Sequence, residues 1–216
     1  MAQYTLVIGN KNYSSWSLRP WLAMKFAGIP FDEVRIPLYV DGYLAKIRKY
    51  SPAGKLPVLV AGSVTVWESL AILEYLAECH PDRKLWPADA AARGHARAVS
   101  TEMHAGFSAL RGGMTMNVRS SYPGIGMTPE VKTDIARIDT LWSECLQKYG
   151  GPFLFGSFSI ADAMYAPVAT RFKTYAVTLS GPAARYAGEL LALPAMQEWY
   201  AAARAETEVI AQYEHV

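Results

Sequence analysis

The sequence predicts an α/β domain with a mixed sheet, followed by an all-α helical domain. Alternating and β-branched apolar runs, which are typical of strands, occur in the first eighty residues together with segments of helical periodicity. Beyond them helical periodicity takes over, and a proline-containing segment at 81–91 separates the two patterns. We therefore expect residues 1–80 to form the first domain, 81–91 the linker and 92–216 the second domain.

Four strands and three helices are predicted in the first domain. The strands are expected at 4–8, 31–38, 58–60 and 64–67, and the helices at 17–27, 41–50 and 68–79. Gly28 and Pro30 end the first helix, and Ala61-Gly62-Ser63 has the composition of a hairpin loop. The resulting order, β-α-β-α-β-β-α, is a thioredoxin-like layout.

Amphipathic helices fill the predicted second domain. Met103, Phe107, Leu110 and Met114 form one apolar stripe at helical spacing. A further helix is expected to begin at 128–130 and to end at the glycine pair 150–151. Ser159-Ile160-Ala161-Asp162 fits a capping box in which aspartate replaces the usual glutamate, so we assign Ser159 and Asp162 to stability.

Composition excludes several classes of function. The 216 residues are 51% hydrophobic and 19% charged, with a net charge of +2, which does not favour nucleic-acid binding. No segment reaches the apolar length of a membrane span, and the first residues lack a signal-peptide pattern. Cys79, Cys145 and the four histidines are not at metal-ligand spacing, so we expect a cytoplasmic protein with no metal and no disulfide.

A candidate peptide-binding site surrounds Pro57. Pro57 stands at a strand start, and a cis X-Pro turn there would leave a backbone amide and a carbonyl facing outward. Those groups suit strand-like pairing with an extended peptide. Glu68 and Ser69 follow at the junction between the hairpin and a helix, where free amides, a hydroxyl and a carboxylate would meet the charged ends of a small peptide.

Lys-Leu-Pro-Val-Leu, followed by Glu-Ser-Leu-Ala-Ile-Leu-Glu-Tyr-Leu, resembles the glutathione site of cytosolic glutathione transferases. The resemblance implies the glutathione transferase fold, with glutathione as co-substrate. It assigns Lys55 to the glycyl carboxylate, the backbone of Leu56 or Val58 around Pro57 to the cysteinyl unit, and the pair at 68–69 to the γ-glutamyl end. The family's usual homodimer is implied as well.

The segment 14–19, Ser-Ser-Trp-Ser-Leu-Arg, resembles the motif of the serine-type zeta class, known as maleylacetoacetate isomerases. By this match Ser14 activates the glutathione thiol, with Ser15 second in line. Tyr13 remains an alternative, because other classes use a tyrosine hydroxyl. Trp16 stands where zeta enzymes carry a cysteine, which argues against zeta-type isomerase activity.

The electrophile pocket is expected between Trp16 and the first helix of the second domain. We assign Met103 and Phe107 to it, although such a stripe is also typical of a helix packed in a core. His104, Arg111 and Arg119 are candidates for recognising an acidic substrate, while a solvated helix face is the favoured interpretation. The predicted function is a transferase that attacks a small apolar electrophile. The alternatives are an isomerase, a peroxidase or a non-catalytic binding module.

Overall fold

The computed structural model describes residues 3–215 and confirms the predicted fold class. The first domain has the predicted order of strands and helices. Its elements are β1 (Tyr4–Ile8), α1 (Ser15–Ala27), β2 (Asp32–Arg35), α2 (Tyr43–Arg48), β3 (Val58–Ala61), β4 (Val64–Trp67) and α3 (Ser69–Cys79). The sheet order is β2-β1-β3-β4, with β1 and β2 parallel and the other two pairs antiparallel.

The helical part of the chain begins after α3. Its helices are α4 (Ala90–Ala105), α5 (Ser108–Gly113), α6 (Pro129–Tyr149), α7 (Ile160–Thr174), α8 (Gly181–Ala192) and α9 (Pro194–Ala205). Short 3₁₀ turns occur at Pro81–Arg83 and Ala211–Tyr213. α4 begins slightly before residue 92, and the division at 81–91 stays a prediction.

Several element bounds differ from those predicted. α1 begins at Ser15 rather than residue 17, because the Ser14 side chain caps the helix by accepting a hydrogen bond from the Ser17 amide. The second strand covers only Asp32–Arg35 of the predicted 31–38, and α2 is shorter at both ends than 41–50. α3 begins at Ser69, since Glu68 adopts a positive φ of 69° and cannot continue a helix.

The predicted capping box is present at the start of α7. Asp162 Oδ2 accepts hydrogen bonds from the Ser159 amide at 2.8 Å and the Ser159 hydroxyl at 3.1 Å, while its Oδ1 accepts one from the Leu154 amide at 3.0 Å. The carboxyl is fully buried, and this desolvation raises its pKa to about 6. The box therefore ties the preceding loop to a helix that is buried along almost its whole length.

One continuous apolar core joins the two domains. α1 packs against α3 on the side of its own domain and against α7 and α9 on the other. Trp21 of α1 meets Trp199 of α9 edge to face, with ring centroids 5.1 Å apart. This packing places the first turn of α1 beside α7, and that contact positions the candidate site.

Candidate functional site

An open cavity of about 440 Å³ lies at the first turn of α1. Residues of both domains line it: Tyr13, Ser14, Ser15, Trp16, Leu38, Tyr39, Tyr43, Leu44, Ile47, Gly54, Lys55, Leu56, Arg111, Thr115, Met116, Arg171 and Tyr213. Three of these side chains are basic, and none of these lining residues is acidic. The cavity therefore favours a ligand with net negative charge.

The serine pair predicted to act on the thiol lies at this cavity, where α1 begins. Ser14 Oγ lies 2.7 Å from Ser17 Oγ and also accepts from the Ser17 amide at 3.3 Å. Ser15 is the first helical residue and is 7% exposed. A Cβ on Gly9, at the end of β1, would come within 2.9 Å of the Leu38 side chain, so glycine allows the close approach beneath this turn.

Tyr13 also lines the cavity, but its hydroxyl is fully engaged elsewhere. It donates its hydrogen to Glu214, and it accepts hydrogen bonds from Arg119 Nη2 at 2.8 Å and the Ile210 amide at 3.3 Å. Burial, reinforced by the bond to Glu214, raises its pKa. The hydroxyl hydrogen therefore points away from any ligand, and Tyr13 is poorly placed to activate a thiol.

The loop before β3 also contributes to the cavity wall, and the Leu56–Pro57 peptide bond is cis, as predicted. Leu56 and the exposed Lys55 line the cavity, whereas Pro57 and Val58 are buried. Val58 is the first residue of β3, where it pairs with Val7 of β1 and with Trp67 of β4. The loop thus brings Leu56 to the cavity, and the resemblance assigns the backbone of Leu56 or Val58 to the cysteinyl unit.

Glu68 and Ser69 meet at the start of α3, outside the set of residues that line the cavity. Glu68 has a positive φ of 69°, a conformation that costs a non-glycine residue on the order of 1–3 kcal/mol and is common at binding sites. Its carboxylate is 4.0 Å from His104 Nε2. The Ser69 hydroxyl is buried and has no hydrogen-bond partner among residues 3–215.

Trp16 stands among cationic and aromatic groups. The Arg19 guanidinium lies 4.1 Å from the centre of the Trp16 ring, and that of Arg111 lies 5.4 Å away. His104 contacts the same ring edge to face, at 5.3 Å between centroids. Arg19 is fully buried, and burial together with the charges of Arg171 and Arg111 lowers its pKa to about 9.

The second domain contributes different residues from those predicted. Met103 is completely buried and Phe107 is 7% exposed, and neither lines the cavity. Their stripe packs into the shared core, as apolar stripes of a packed helix commonly do. Arg111 does face the cavity, contrary to the favoured interpretation of a solvated helix face. Arg119 instead anchors the C-terminal segment, through the Glu208 carbonyl at 2.8 Å.

Sequence reasoning missed ten of the residues that line the cavity: Leu38, Tyr39, Tyr43, Leu44, Ile47, Gly54, Thr115, Met116, Arg171 and Tyr213. The hydroxyls of Tyr39 and Tyr213 are 3.1 Å apart, across the cavity margin. Nothing in the sequence near Tyr213 indicates this role, because the contact spans the whole chain. Arg171 lies in the last turn of α7 together with Lys173, so residue type and position alone do not distinguish it from a solvent-facing basic side chain.

Comparisons with known proteins agree with this fold and site. The family model for the N-terminal domain of glutathione S-transferase matches residues 13–79, and the model for the C-terminal domain matches residues 95–202. The maleylacetoacetate isomerase of Rattus norvegicus is 29% identical over 170 residues, 77% of this chain and 76% of that protein. A probable maleylacetoacetate isomerase of Caenorhabditis elegans is 38% identical over 96 residues, so this chain spans only 44% of that relative.

Solved structures show the same fold. A glutathione transferase homolog from Burkholderia, with bound glutathione, superposes with a TM-score of 0.71 at 22% identity, covering 94% of this chain and 99% of that one. Glutathione transferase F2 from Populus trichocarpa gives 0.72 at 17% identity, covering 94% and 100%. The fold and cavity thus define a two-domain protein of the thioredoxin-like α/β plus helical class. The chain belongs to the glutathione S-transferase family.

Residues 3–215 were also searched for membrane-spanning helices and for groups of metal-binding side chains. Among residues 3–215 no helix is long and apolar enough to cross a membrane. The same residues contain no group of three or more histidine, cysteine, aspartate or glutamate side chains that is able to hold a metal ion. Cys145 is buried, and burial raises its pKa to about 11, so it has no thiolate character at neutral pH.

Proposed function

We propose that this protein binds glutathione in the cavity and activates its thiol for attack on a small electrophile. The proposal rests chiefly on one observation: the serine pair at the start of α1 and the cis-Pro57 loop line the same cavity as basic side chains. A free thiol has a pKa of about 8.5, so a hydroxyl donor and a positive potential are needed to form thiolate at neutral pH.

The charge of the cavity supports glutathione as the ligand. Glutathione carries two carboxylates and one ammonium group, and thiolate formation adds a further negative charge. Lys55 is the exposed cation beside the loop and is assigned to the glycyl carboxylate. Ser69 has a buried hydroxyl without a partner in the described structure, and Glu68 stands next to it, so this pair suits the γ-glutamyl end.

An apolar electrophile has a suitable wall in the same cavity. The apolar side chains of Trp16, Leu38, Leu44 and Met116 are among those that line it. Burial of an apolar group against such side chains contributes roughly 25 cal/mol per Å². We assign the attacking step to the glutathione sulfur, which forms a bond to the electrophilic carbon as the leaving group departs with the bonding electrons.

Glutathione-dependent isomerisation of an unsaturated acid is the second candidate function. Arg111 and Arg171 place two guanidinium groups on the second-domain side of the cavity, where they favour a carboxylate. Relatives in Rattus norvegicus and Caenorhabditis elegans carry the name maleylacetoacetate isomerase. The zeta-class cysteine is replaced by Trp16, which favours the transferase reaction over this alternative.

Product analysis separates these functions. Titration calorimetry with glutathione tests binding, and the absorbance of the bound thiolate against pH tests activation. A chlorinated aromatic substrate tests transfer, a maleyl-type acid tests isomerisation, and an organic hydroperoxide tests the peroxidase alternative. Binding of glutathione without a change in the pKa of its thiol would favour the non-catalytic binding module. Absence of binding would refute the proposed function.

A homodimer is part of the same proposal. Val64 and Trp67 on the edge strand β4 are 44% and 40% exposed, which leaves apolar surface next to the proposed glutathione site. Sedimentation equilibrium of the wild type and of a Trp67→Glu variant would test it. We expect the wild type to sediment as a dimer and the variant as a monomer.

A further inference from the structure

The hydroxyl of Ser14 is used within its own helix turn. It donates to Ser17 Oγ at 2.7 Å and accepts from the Ser17 amide at 3.3 Å. Ser17 Oγ in turn accepts from the Gly9 amide at 3.1 Å, which fixes the group to the end of β1. These contacts are those of a helix N-cap, and they leave the Ser14 hydroxyl hydrogen directed away from the cavity.

Ser15 has the opposite arrangement. Its Oγ accepts a hydrogen bond from Arg171 Nη2 at 3.3 Å, and within the described chain its hydroxyl donates to no acceptor. Both residues line the cavity. A hydroxyl that accepts from a cation and has its own hydrogen free is suited to donate that hydrogen to an anion.

Arg171 is held in a fixed position. Its Nε donates to the Met114 carbonyl at 2.7 Å and its Nη1 to the Pro167 carbonyl at 3.4 Å. The side chain is almost completely buried, and burial followed by the charge of Arg111 lowers its pKa to about 10. It therefore keeps its proton at neutral pH, and its orientation is set by the backbone of α7 and of the segment after α5.

We infer that Ser15, rather than Ser14, donates the hydrogen bond that stabilises the glutathione thiolate, and that Arg171 is the positioning residue for Ser15. The inference rests on the proposed function. The thiol proton passes to solvent, and Ser15 keeps its own proton while hydrogen-bonding to the sulfur. Arg171 makes that hydroxyl a stronger donor, because a charged donor polarises the oxygen that accepts from it.

The charges around Ser15 support the same role. Burial lowers the pKa of Arg19 and of Arg171, and the charges of the neighbouring arginines lower both further, while no carboxylate is among the residues that line the cavity. A thiolate bound beside Ser15 reduces this mutual repulsion. The cluster of guanidinium groups therefore favours an anion beside Ser15.

The test is the pKa of the bound glutathione thiol, measured by thiolate absorbance against pH in the wild type, Ser14→Ala, Ser15→Ala and Arg171→Lys. We expect Ser15→Ala to raise the thiol pKa by about one unit or more, a tenfold loss in the ratio of thiolate to thiol. Ser14→Ala should lower the melting temperature through loss of the cap and leave the thiol pKa unchanged. Arg171→Lys keeps the charge but not the three-point geometry, so we expect a smaller rise.

Two controls separate positioning from stability. Lys173→Met removes one positive charge from the exposed side of the same helix and should leave the thiol pKa unchanged. Ser15→Thr keeps a hydroxyl at this position, so the pKa of the bound thiol should stay lowered as in the wild type. In the double variant with Ser15→Ala, Arg171→Lys should cause little further change, because its effect acts through the missing hydroxyl.

The outcomes distinguish this inference from the proposed function. If the wild type binds no glutathione, or binds it without a change in the pKa of its thiol, both the proposed function and the role of Ser15 are refuted. If the wild-type thiol is shifted and Ser15→Ala leaves the shift intact while Ser14→Ala abolishes it, only the role of Ser15 is overturned. A shift that survives in Arg171→Lys and in a folded Arg171→Met variant would overturn the role of Arg171.

Discussion

Replacing Asp162 by asparagine should change how the stability of this protein depends on pH. The buried carboxyl has a pKa of about 6 in the folded protein, against 3.8 in the unfolded chain. Because the folded value is the higher one, the wild type gains stability, relative to the variant, as pH falls through 6. The full contribution is present below the unfolded pKa and is lost as pH rises through the folded pKa.

The magnitude follows from the size of the shift. A difference of about two pKa units corresponds to roughly 3 kcal/mol, at about 1.36 kcal/mol per unit. About 1 kcal/mol of this should appear between pH 7.5 and pH 5, since the full contribution is reached only below the unfolded pKa. The same carboxylate accepts hydrogen bonds from two buried amides and one hydroxyl. Asp162→Ala should therefore lower the free energy of unfolding by about 3 kcal/mol at neutral pH.

Urea unfolding at several pH values measures both effects. The difference in unfolding free energy between the wild type and Asp162→Asn should widen in favour of the wild type as pH is lowered. A constant difference from pH 7.5 to pH 5 would refute the burial argument. Loss of activity in Asp162→Ala without a change in melting temperature would refute the assignment of this residue to stability.

Three further predictions concern the cavity and its surroundings. Ser69→Ala removes a buried hydroxyl that has no partner in the described structure, so the melting temperature should not fall, while calorimetry should show glutathione affinity weakened about tenfold. Arg111→Met should raise KM for an anionic electrophile about tenfold and leave KM for a neutral one unchanged, with the exposed Arg185→Met as the charge-matched control. Glu214→Gln removes the anion that accepts from Tyr13, so it should lower the unfolding free energy by about 1–3 kcal/mol; an unchanged urea midpoint would contradict this.

Local chemistry made much of the fold readable from the sequence. The hairpin, the cis-proline turn and the capping box at Ser159 and Asp162 depend on residues a few positions apart. Proline, glycine and short polar side chains act on the backbone beside them, whatever the rest of the chain does. The domain-level change from strands to helices was equally visible, because hydrophobic period follows the secondary structure.

The start of α1 could not be predicted exactly, because it depends on a contact between two different elements. α1 begins at Ser15 because Ser14 adopts the cap position, although Ser17 is a possible cap by residue type. The cap was decided by the bond from the Gly9 amide to Ser17 Oγ, which ties that hydroxyl to the end of β1. A contact between a strand end and a helix turn is not encoded in periodicity.

Tertiary structure alone decided which side chains face the cavity. Met103 and Phe107 have the spacing of a pocket-lining stripe, but packing turned them into the core, while Arg171 reached Ser15 across 156 positions of sequence. The sequence determines which residue types are available, and the packing of α1 against α7 determines where they point. The roles of the hydroxyls at 13, 14 and 15 differ for that reason: the fold provides an acceptor for the hydrogen of Tyr13 and of Ser14, and the described residues provide none for that of Ser15.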